Sequence, residues 1–383
     1  MAEAGGVTDF KLALFADPFE EGWPSMDLCA EMLAANLPPP WEANVVRPAG
    51  WRCFERVPGM SGSGRASLAD RLLTRFVAAP RVAKRLQVRY RAFHVVDHTY
   101  AHVVHKLPAE RTGVYCHDLD AFRSIVEPKR DPKPAWFRRL ARWQLEGMRR
   151  ARVVFHNSLA TRDEILSHGL IDEQRLVHVP LGVAPEFTPE HPPEGEQAGA
   201  RWQARLAGDR YLLHIGSCIP RKRIDVLLEA AAGAFAEFGD VRLLKIGAEW
   251  TPAQESQIDA LGIGSRIVHA GQVERHELAA AYRGATAVLV TSEAEGYGLP
   301  VIEALACGAP VIASDLPVLR EVGGDACRYV PVGEAPRWVE AICQALDDGQ
   351  SLPPTAVRLE VAAGHSWERH AKTIARTYEE RIG

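Results

Sequence analysis

The chain reads as an α/β protein made of two doubly wound parallel sheets, and three features predict this. Short aliphatic or β-branched runs alternate with stretches of helical period along the whole sequence, as parallel βαβ units do. The alternation breaks once, at residues 188–199, where Pro, Gly and charged residues crowd together as in a linker. The length, 383 residues, suits two domains with sizeable cores, since 47% of residues are hydrophobic.

In the first half the strand candidates are residues 12–15, 44–47, 93–96, 113–116, 153–156 and 176–179. Helical patterns at 26–36, 68–89, 134–150 and 159–168 separate them. The second half offers strands at 211–216, 241–246, 266–269, 287–291, 311–314 and 328–330. Its helices fall at 225–238, 252–261, 275–282, 300–307 and 336–346, with a last one at 366–381. The expected division is therefore a first domain over 1–187, a linker over 188–200, a second domain over 201–365 and a terminal helix over 366–383.

Bulk properties exclude several classes. No apolar run is long enough to cross a bilayer as a helix. The first residues, Met1-Ala-Glu-Ala-Gly-Gly6, are small and acidic, unlike a signal peptide. Seven cysteines lie scattered without a CxxC pair, which points to a reduced, cytoplasmic protein. Net charge is −4, but residues 65–152 carry twenty Lys and Arg against eight Asp and Glu. Aromatic and basic residues interleave there, as in Trp136-Phe-Arg-Arg-Leu-Ala-Arg-Trp143. Such a face is either a solvated helix surface or a peripheral contact with an anionic membrane, on its inner side for a cytoplasmic protein. A sequence pI of about 6.4 and the lack of a binding motif argue against nucleic acid.

The richest stretch is Glu295-Gly-Tyr-Gly-Leu-Pro-Val-Ile-Glu303, directly after a strand. Gly296 and Gly298 let backbone N–H groups approach a ligand, and Pro300 suits a helix start. A helix N-terminus favours a phosphate, and two carboxylates suit sugar hydroxyls. Together they point to a nucleotide-sugar. Glu303 lies among apolar residues, where an acid is rarely placed without a partner.

This stretch, running on to Ser314, resembles the signature of the retaining GT-B glycosyltransferases of family four, whose E-x7-E pattern Glu295 and Glu303 match without a gap. The resemblance implies a GT-B fold, two Rossmann-like domains facing a central cleft, with the acceptor held by the first and the donor by the second. It implies that the last helix returns to the first domain. It also implies that Glu295 faces the donor sugar and Glu303 the nucleotide ribose, with Tyr297, Gly298 and Leu299 cradling the phosphate and sugar.

Other segments extend the resemblance. Ile215-Gly-Ser-Cys-Ile-Pro-Arg-Lys-Arg223 is similar to the family's G-x5-RK loop, where cations hold the departing diphosphate. Gly216 permits the turn. Ser217 stands where many members carry Arg, so Arg221 beside Lys222 becomes the second cation. Val114-Tyr-Cys-His-Asp118 resembles a strand-end His-Asp pair, which places His117 beside the donor sugar. The segment Asp97-His-Thr-Tyr-Ala-His102 is similar to one lining the acceptor side, giving Asp97, His98 and Tyr100 as candidates there, with Asp118 of the His-Asp pair as a further acceptor-side candidate. Gly22 stands in the acceptor-side loop where many members have paired glycines. Gln272 ends the segment where the family holds the nucleotide base. The turn 178–183 is either the family's domain-closing turn or a plain strand end.

The expected function is a retaining, metal-independent transfer of a hexose-type sugar from a UDP- or GDP-sugar to a hydroxyl of a glycan, a lipid-linked glycan or a small molecule. No cofactor is expected. Asp118-Leu-Asp120 spells a metal-diphosphate triplet, but the glutamates and cations already supply a donor site. His98, His102 and His105, expected on one helix face, lack the spacing of a zinc site. The rivals are a non-catalytic GT-B subunit that binds nucleotide-sugar, a GT-B sugar phosphorylase and an epimerase. The epimerases lack the Glu295/Glu303 spacing. A nicotinamide dehydrogenase would need a G-x-G-x-x-G opening a helix, and Ser61-Gly-Ser-Gly64 follows no strand.

Overall fold

Continuous aliphatic runs make strands that can be buried on both faces, and eight such runs here lie inside two parallel sheets. The computed structural model describes residues 10–56, 64–87, 89–347 and 351–382; of the Ser61–Gly64 motif only Gly64 lies within them. The chain divides into two units, Met1–Gly182 together with Trp367–Gly383, and Val183–Ser366.

The first unit contains β1 (Lys11–Phe15), β2 (Glu42–Val46), β3 (Ala92–Val95), β4 (Thr112–Cys116), β5 (Val153–His156) and β6 (Leu176–His178) in the order β2-β1-β3-β4-β5-β6. Every pairing is parallel. β3, β4 and β5 are buried throughout, whereas the edge strand β2 leaves Glu42, Asn44 and Val45 exposed. Phe15, Phe93, Val95 and Val114 pack with Leu145 and Met148 from the helix Ala135–Arg150. That helix comes close to the His98–Lys106 segment because residue 147 is glycine. A Cβ there would overlap the Ala101 carbonyl.

The helix Trp367–Ile382 belongs to this unit and buries Ala371, Ile374, Ala375 and Tyr378. The Tyr378 hydroxyl donates to the Phe93 carbonyl at 2.9 Å and lies 3.0 Å from His94 Nδ1. Gly113 makes room for it, since a Cβ there would sit 2.5 Å from the hydroxyl oxygen. Trp41 Nε1 donates to Glu379 at 2.9 Å.

The second unit has β7 (Arg210–Gly216), β8 (Val241–Gly247), β9 (Ile267–Ala270), β10 (Ala287–Val290), β11 (Val311–Ser314) and β12 (Cys327–Val330), ordered β12-β11-β10-β7-β8-β9. These pairings are parallel too. Leu212, Leu243, Leu289 and Ile312 pack with Leu227, Ala231, Trp338 and Ile342 from the helices Ile224–Glu237 and Ala335–Asp347.

In each sheet the strand order reverses direction once, between β1 and β3 and between β7 and β10. Ligands of doubly wound sheets bind outside the carboxyl ends of the strands at such a switch. The loops after these four strands carry the polar residues described next.

Three expectations change. Residues 193–200, read as part of the linker, begin the helix Pro193–Arg205, whose Trp202 is buried and donates to the Glu277 carbonyl at 2.9 Å. The apolar Ala198 and Trp202 face inward, and Pro193 suits the first turn despite the Gly-rich composition. The single helix expected over 68–89 is three pieces, Gly64–Leu73, a wider π-helical turn Thr74–Ala78, and Ala79–Leu86 with Pro80 in its first turn. His98–Lys106 winds as a tighter 3-10 helix, so three residues make a turn and His98 leaves the face shared by His102 and His105. The three side chains find separate partners: His102 Nε2 meets the Arg75 carbonyl at 2.8 Å, His105 Nε2 the Trp143 carbonyl at 3.1 Å, and His98 the acids described below.

Candidate functional site

At the second unit's switch, β7 ends in Gly216, whose φ of +142° suits glycine. The chain then passes half-buried Ser217 to the 3-10 turn Pro220–Lys222. From β10 it runs through Thr291 and Ser292 to Glu295. The two loops are tied by the Glu293 N–H donating to the Arg221 carbonyl at 2.8 Å and the Thr291 hydroxyl donating to the Lys222 carbonyl at 2.9 Å.

These ties bring the charges together. Lys222 Nζ lies 2.6 Å from Glu295 Oε1, and Arg221 Nη1 lies 3.3 Å from Oε2. The Ser292 hydroxyl donates to Oε1 at 2.6 Å, and Arg221 also donates to the Ala294 carbonyl at 2.9 Å. Glu295 and Lys222 side chains are only 7% and 12% exposed. Burial would push the Glu295 carboxyl up, but Lys222, Arg221 and Ser292 hold it below the ordinary carboxylate range. The result is an ionised carboxylate with two cations beside a turn, charge-assisted throughout.

Gly296 is half-buried, while Tyr297 and Gly298 are buried. The Tyr297 hydroxyl meets His365 Nδ1 at 2.7 Å. Gly298 caps the helix Leu299–Ala306 with φ +110°, so Leu299 takes the first helical position and Pro300 the second. Glu303 sits on this helix, 8% exposed, and takes a hydrogen bond from the Tyr282 hydroxyl at 2.8 Å. Burial raises its pKa to about 7 against the opposing pull of Tyr282 and Arg275. It stands apart from the hydrogen-bonded group around Glu295. Gln272 is exposed beyond β9.

The first unit's switch gathers a second polar group. Val95 pairs with Phe15, so Asp17 and Asp97 each follow their strand by two residues. Both are buried. The Thr99 backbone N–H and hydroxyl donate to Asp97 at 2.8 and 2.5 Å. His98 Nδ1 lies 3.4 Å from Asp97, and His98 Nε2 lies 3.8 Å from Asp118. Burial would raise the Asp97 pKa, but His98, His117 and Thr99 hold it low. Burial and the neighbouring Asp97 push Asp17 well above the carboxylate range.

His117 Nε2 donates to the Val96 carbonyl at 2.8 Å, which leaves Nδ1 as the ring's acceptor atom. Burial keeps this imidazole neutral by lowering its pKa. The Tyr100 hydroxyl donates to Glu21 at 2.7 Å, and Arg75 Nη2 lies 3.0 Å from the same carboxylate. Gly22 is exposed with φ +69°, closing the turn Phe19–Glu21.

The sequence reading missed Asp17, Glu21, Arg75, Tyr282 and Ser292. A signal existed only for Ser292, three residues before Glu295 on the same loop. The others join through strand register and helix packing across tens of residues.

Two doubly wound parallel units with polar groups at each switch define the GT-B fold. Solved structures share it: sucrose-phosphate synthase from Thermosynechococcus elongatus has a TM-score of 0.73 at 20% identity over 97% of this chain and 98% of that one. HepE from Anabaena, solved with UDP and glucose, has a TM-score of 0.70 at 18% identity over 97% and 98%. Two family models divide the chain, Glycosyltransferase Family 4 over residues 32–187 and Glycosyl transferases group 1 over residues 199–363. The chain belongs to the family four, group 1 type of glycosyltransferases. Among its relatives, a D-inositol 3-phosphate glycosyltransferase of Mycobacteroides abscessus is 32% identical over 59% of this chain and 51% of that protein. An O-antigen chain mannosyltransferase B of Escherichia coli is 28% identical over 70% of each. The chain spans about half the length of most of the curated relatives it matches first.

Proposed function

We propose that this chain is a retaining, metal-independent glycosyltransferase that moves a hexose-type sugar from a UDP- or GDP-sugar to an acceptor hydroxyl. The observation that carries the reading is the buried contact of Lys222 and Arg221 with Glu295 at the switch of the second sheet. Glu295 holds donor-sugar hydroxyls, while Lys222 and Arg221 turn to the diphosphate. Glu303 takes the ribose hydroxyls, and Gly216, Ser217, Gly296, Tyr297, Gly298, Leu299 and Gln272 line the donor. His117 accepts from the far edge of the sugar through Nδ1.

In the reaction the bond from the anomeric carbon to the diphosphate breaks, and a bond to the acceptor oxygen forms on the same face. The acceptor proton passes to the departing phosphate oxygen, so the leaving group serves as the base. The protein supplies orientation and fixed positive charge where negative charge develops. Asp97, His98, Tyr100, Asp118 and the loop at Gly22 serve the acceptor. The basic, aromatic segments of the first unit suit a peripheral contact with the inner face of an anionic membrane.

The test is a panel of NDP-sugars read by thermal stabilisation and by turnover. One nucleotide stabilises the protein, and Lys222→Ala or Glu295→Ala lowers turnover at least about 100-fold. EDTA leaves turnover unchanged. Activity lost on chelation removes the metal-free reading. Nucleotide-sugar binding with neither transfer nor hydrolysis leaves the silent subunit, and phosphate-dependent breakdown of a glycoside leaves the phosphorylase.

A further inference from the structure

Beside the turn that follows β1, the first unit holds a cavity of about 240 Å3. Ligand pockets for drug-sized molecules run roughly 300–1,000 Å3, so this one suits a single ring. Buried polar groups build its wall. Asp70, 4% exposed, accepts the backbone N–H groups of Cys53, Phe54 and Glu55 at 2.8 to 3.1 Å. The buried Thr74 hydroxyl accepts the Trp51 N–H at 2.8 Å. A buried carboxylate needs such donors, and here they fix the segment after β2 against the helix Gly64–Leu73.

The segment so fixed contributes Trp51 to the lining, an indole 37% exposed. Glu20 and Glu55 line the cavity as well. The Glu20 carboxylate lies against Gly50, where a Cβ would overlap its Oε1. Glu21 lines the same cavity while its carboxylate binds Tyr100 and Arg75, so the cavity adjoins the polar group at the β1/β3 switch. Its four acids outnumber its two arginines, Arg52 and Arg71. Carboxylates accept hydroxyl protons and repel phosphate, and an aromatic face offers apolar area beside them.

We infer that this cavity binds one hydroxyl-bearing six-membered ring of the acceptor that carries no phosphate, a pyranoside or a cyclitol. Trp51 takes the apolar face of the ring, and Glu20 and Glu55 accept its hydroxyls. This rests on the reading of the first unit as the acceptor side.

The experiment is saturation-transfer NMR on the full chain with methyl α-D-mannopyranoside and myo-inositol as probes. UDP and GDP are added to saturation to fill the donor site. Signals of at least one probe persist under nucleotide, fall at least fivefold in Trp51→Ala and survive in Trp51→Phe, while nucleotide still stabilises both variants. Inositol 1-phosphate gives a weaker signal than the neutral rings. No signal in the native chain, an unchanged signal in Trp51→Ala, or preference for the phosphate overturns the inference. If the probes bind as expected but neither UDP nor GDP stabilises the chain, the donor reading fails and the cavity assignment stands.

Discussion

Glu303 shows how one buried carboxyl couples stability to ligand chemistry. Its pKa is about 7 in the folded chain against an ordinary 4.5. Between those values the folded state binds more protons than the unfolded one, so stability falls as pH rises from about 4.5 to 7. The full loss at this residue is at most about 3 kcal/mol. Glu303→Gln cannot ionise and escapes it. Urea unfolding from pH 4 to 8 therefore shows the variant gaining on the native chain as pH rises, by up to that amount. Parallel curves would mean the carboxyl is not held neutral. On the proposed ribose role, the variant also loses nucleotide affinity at pH 8, because an amide cannot replace a carboxylate that accepts two hydroxyls. Chemistry of this kind was partly written in the sequence: an acid among Val301, Ile302, Ala304 and Leu305 announces a buried charge. Its hydrogen-bond partner was not, because Tyr282 lies 21 residues away on another helix and arrives through packing.

Among elements, the short helix Leu299–Ala306 depends most on one backbone angle. Gly298 has φ +110°, and a Cβ on it would lie 2.8 Å from Leu319 Cδ2. Gly298→Ala combines strain with overlap and costs about 1–3 kcal/mol. Thermal unfolding followed at the second unit's tryptophans reads that loss, and an unchanged midpoint would contradict the observed turn. The strands were legible nearly residue by residue, since double burial writes them as unbroken aliphatic runs such as Ala287–Val290. Helices that obey the same burial rule were legible too. Pro193–Arg205 was not, because only Ala198 and Trp202 mark its inner face while Pro, Gly and Glu dominate its first turns. Nor was the 3-10 winding of His98–Lys106, whose composition suits an α-helix equally well. For the candidate site, the Glu295 loop and the Lys222 loop could be read separately, whereas their contact follows from β7 and β10 being neighbours.

On the scale of the molecule, the first unit is discontinuous in sequence: it needs the helix Trp367–Ile382. Tyr378 joins that helix to β3 through Phe93 and His94, all buried. A chain ended after Ser366 leaves apolar surface of the first sheet uncovered, including the Gly113 recess. Such a chain keeps the nucleotide-induced stabilisation proposed for the second unit, and its first unit melts at least about 10 °C lower or fails to fold. Differential scanning calorimetry with and without nucleotide separates the two transitions. A truncated chain with both transitions intact would show the helix to be dispensable.

The same discontinuity sets an order during synthesis. Residues 183–366 leave the ribosome before the helix that packs on the sheet begun at Lys11. The later half of the polypeptide can therefore reach its native state while the earlier half still waits, exposed, for its last sixteen-residue helix. Chaperone capture of nascent chains should concentrate on the portion translated first.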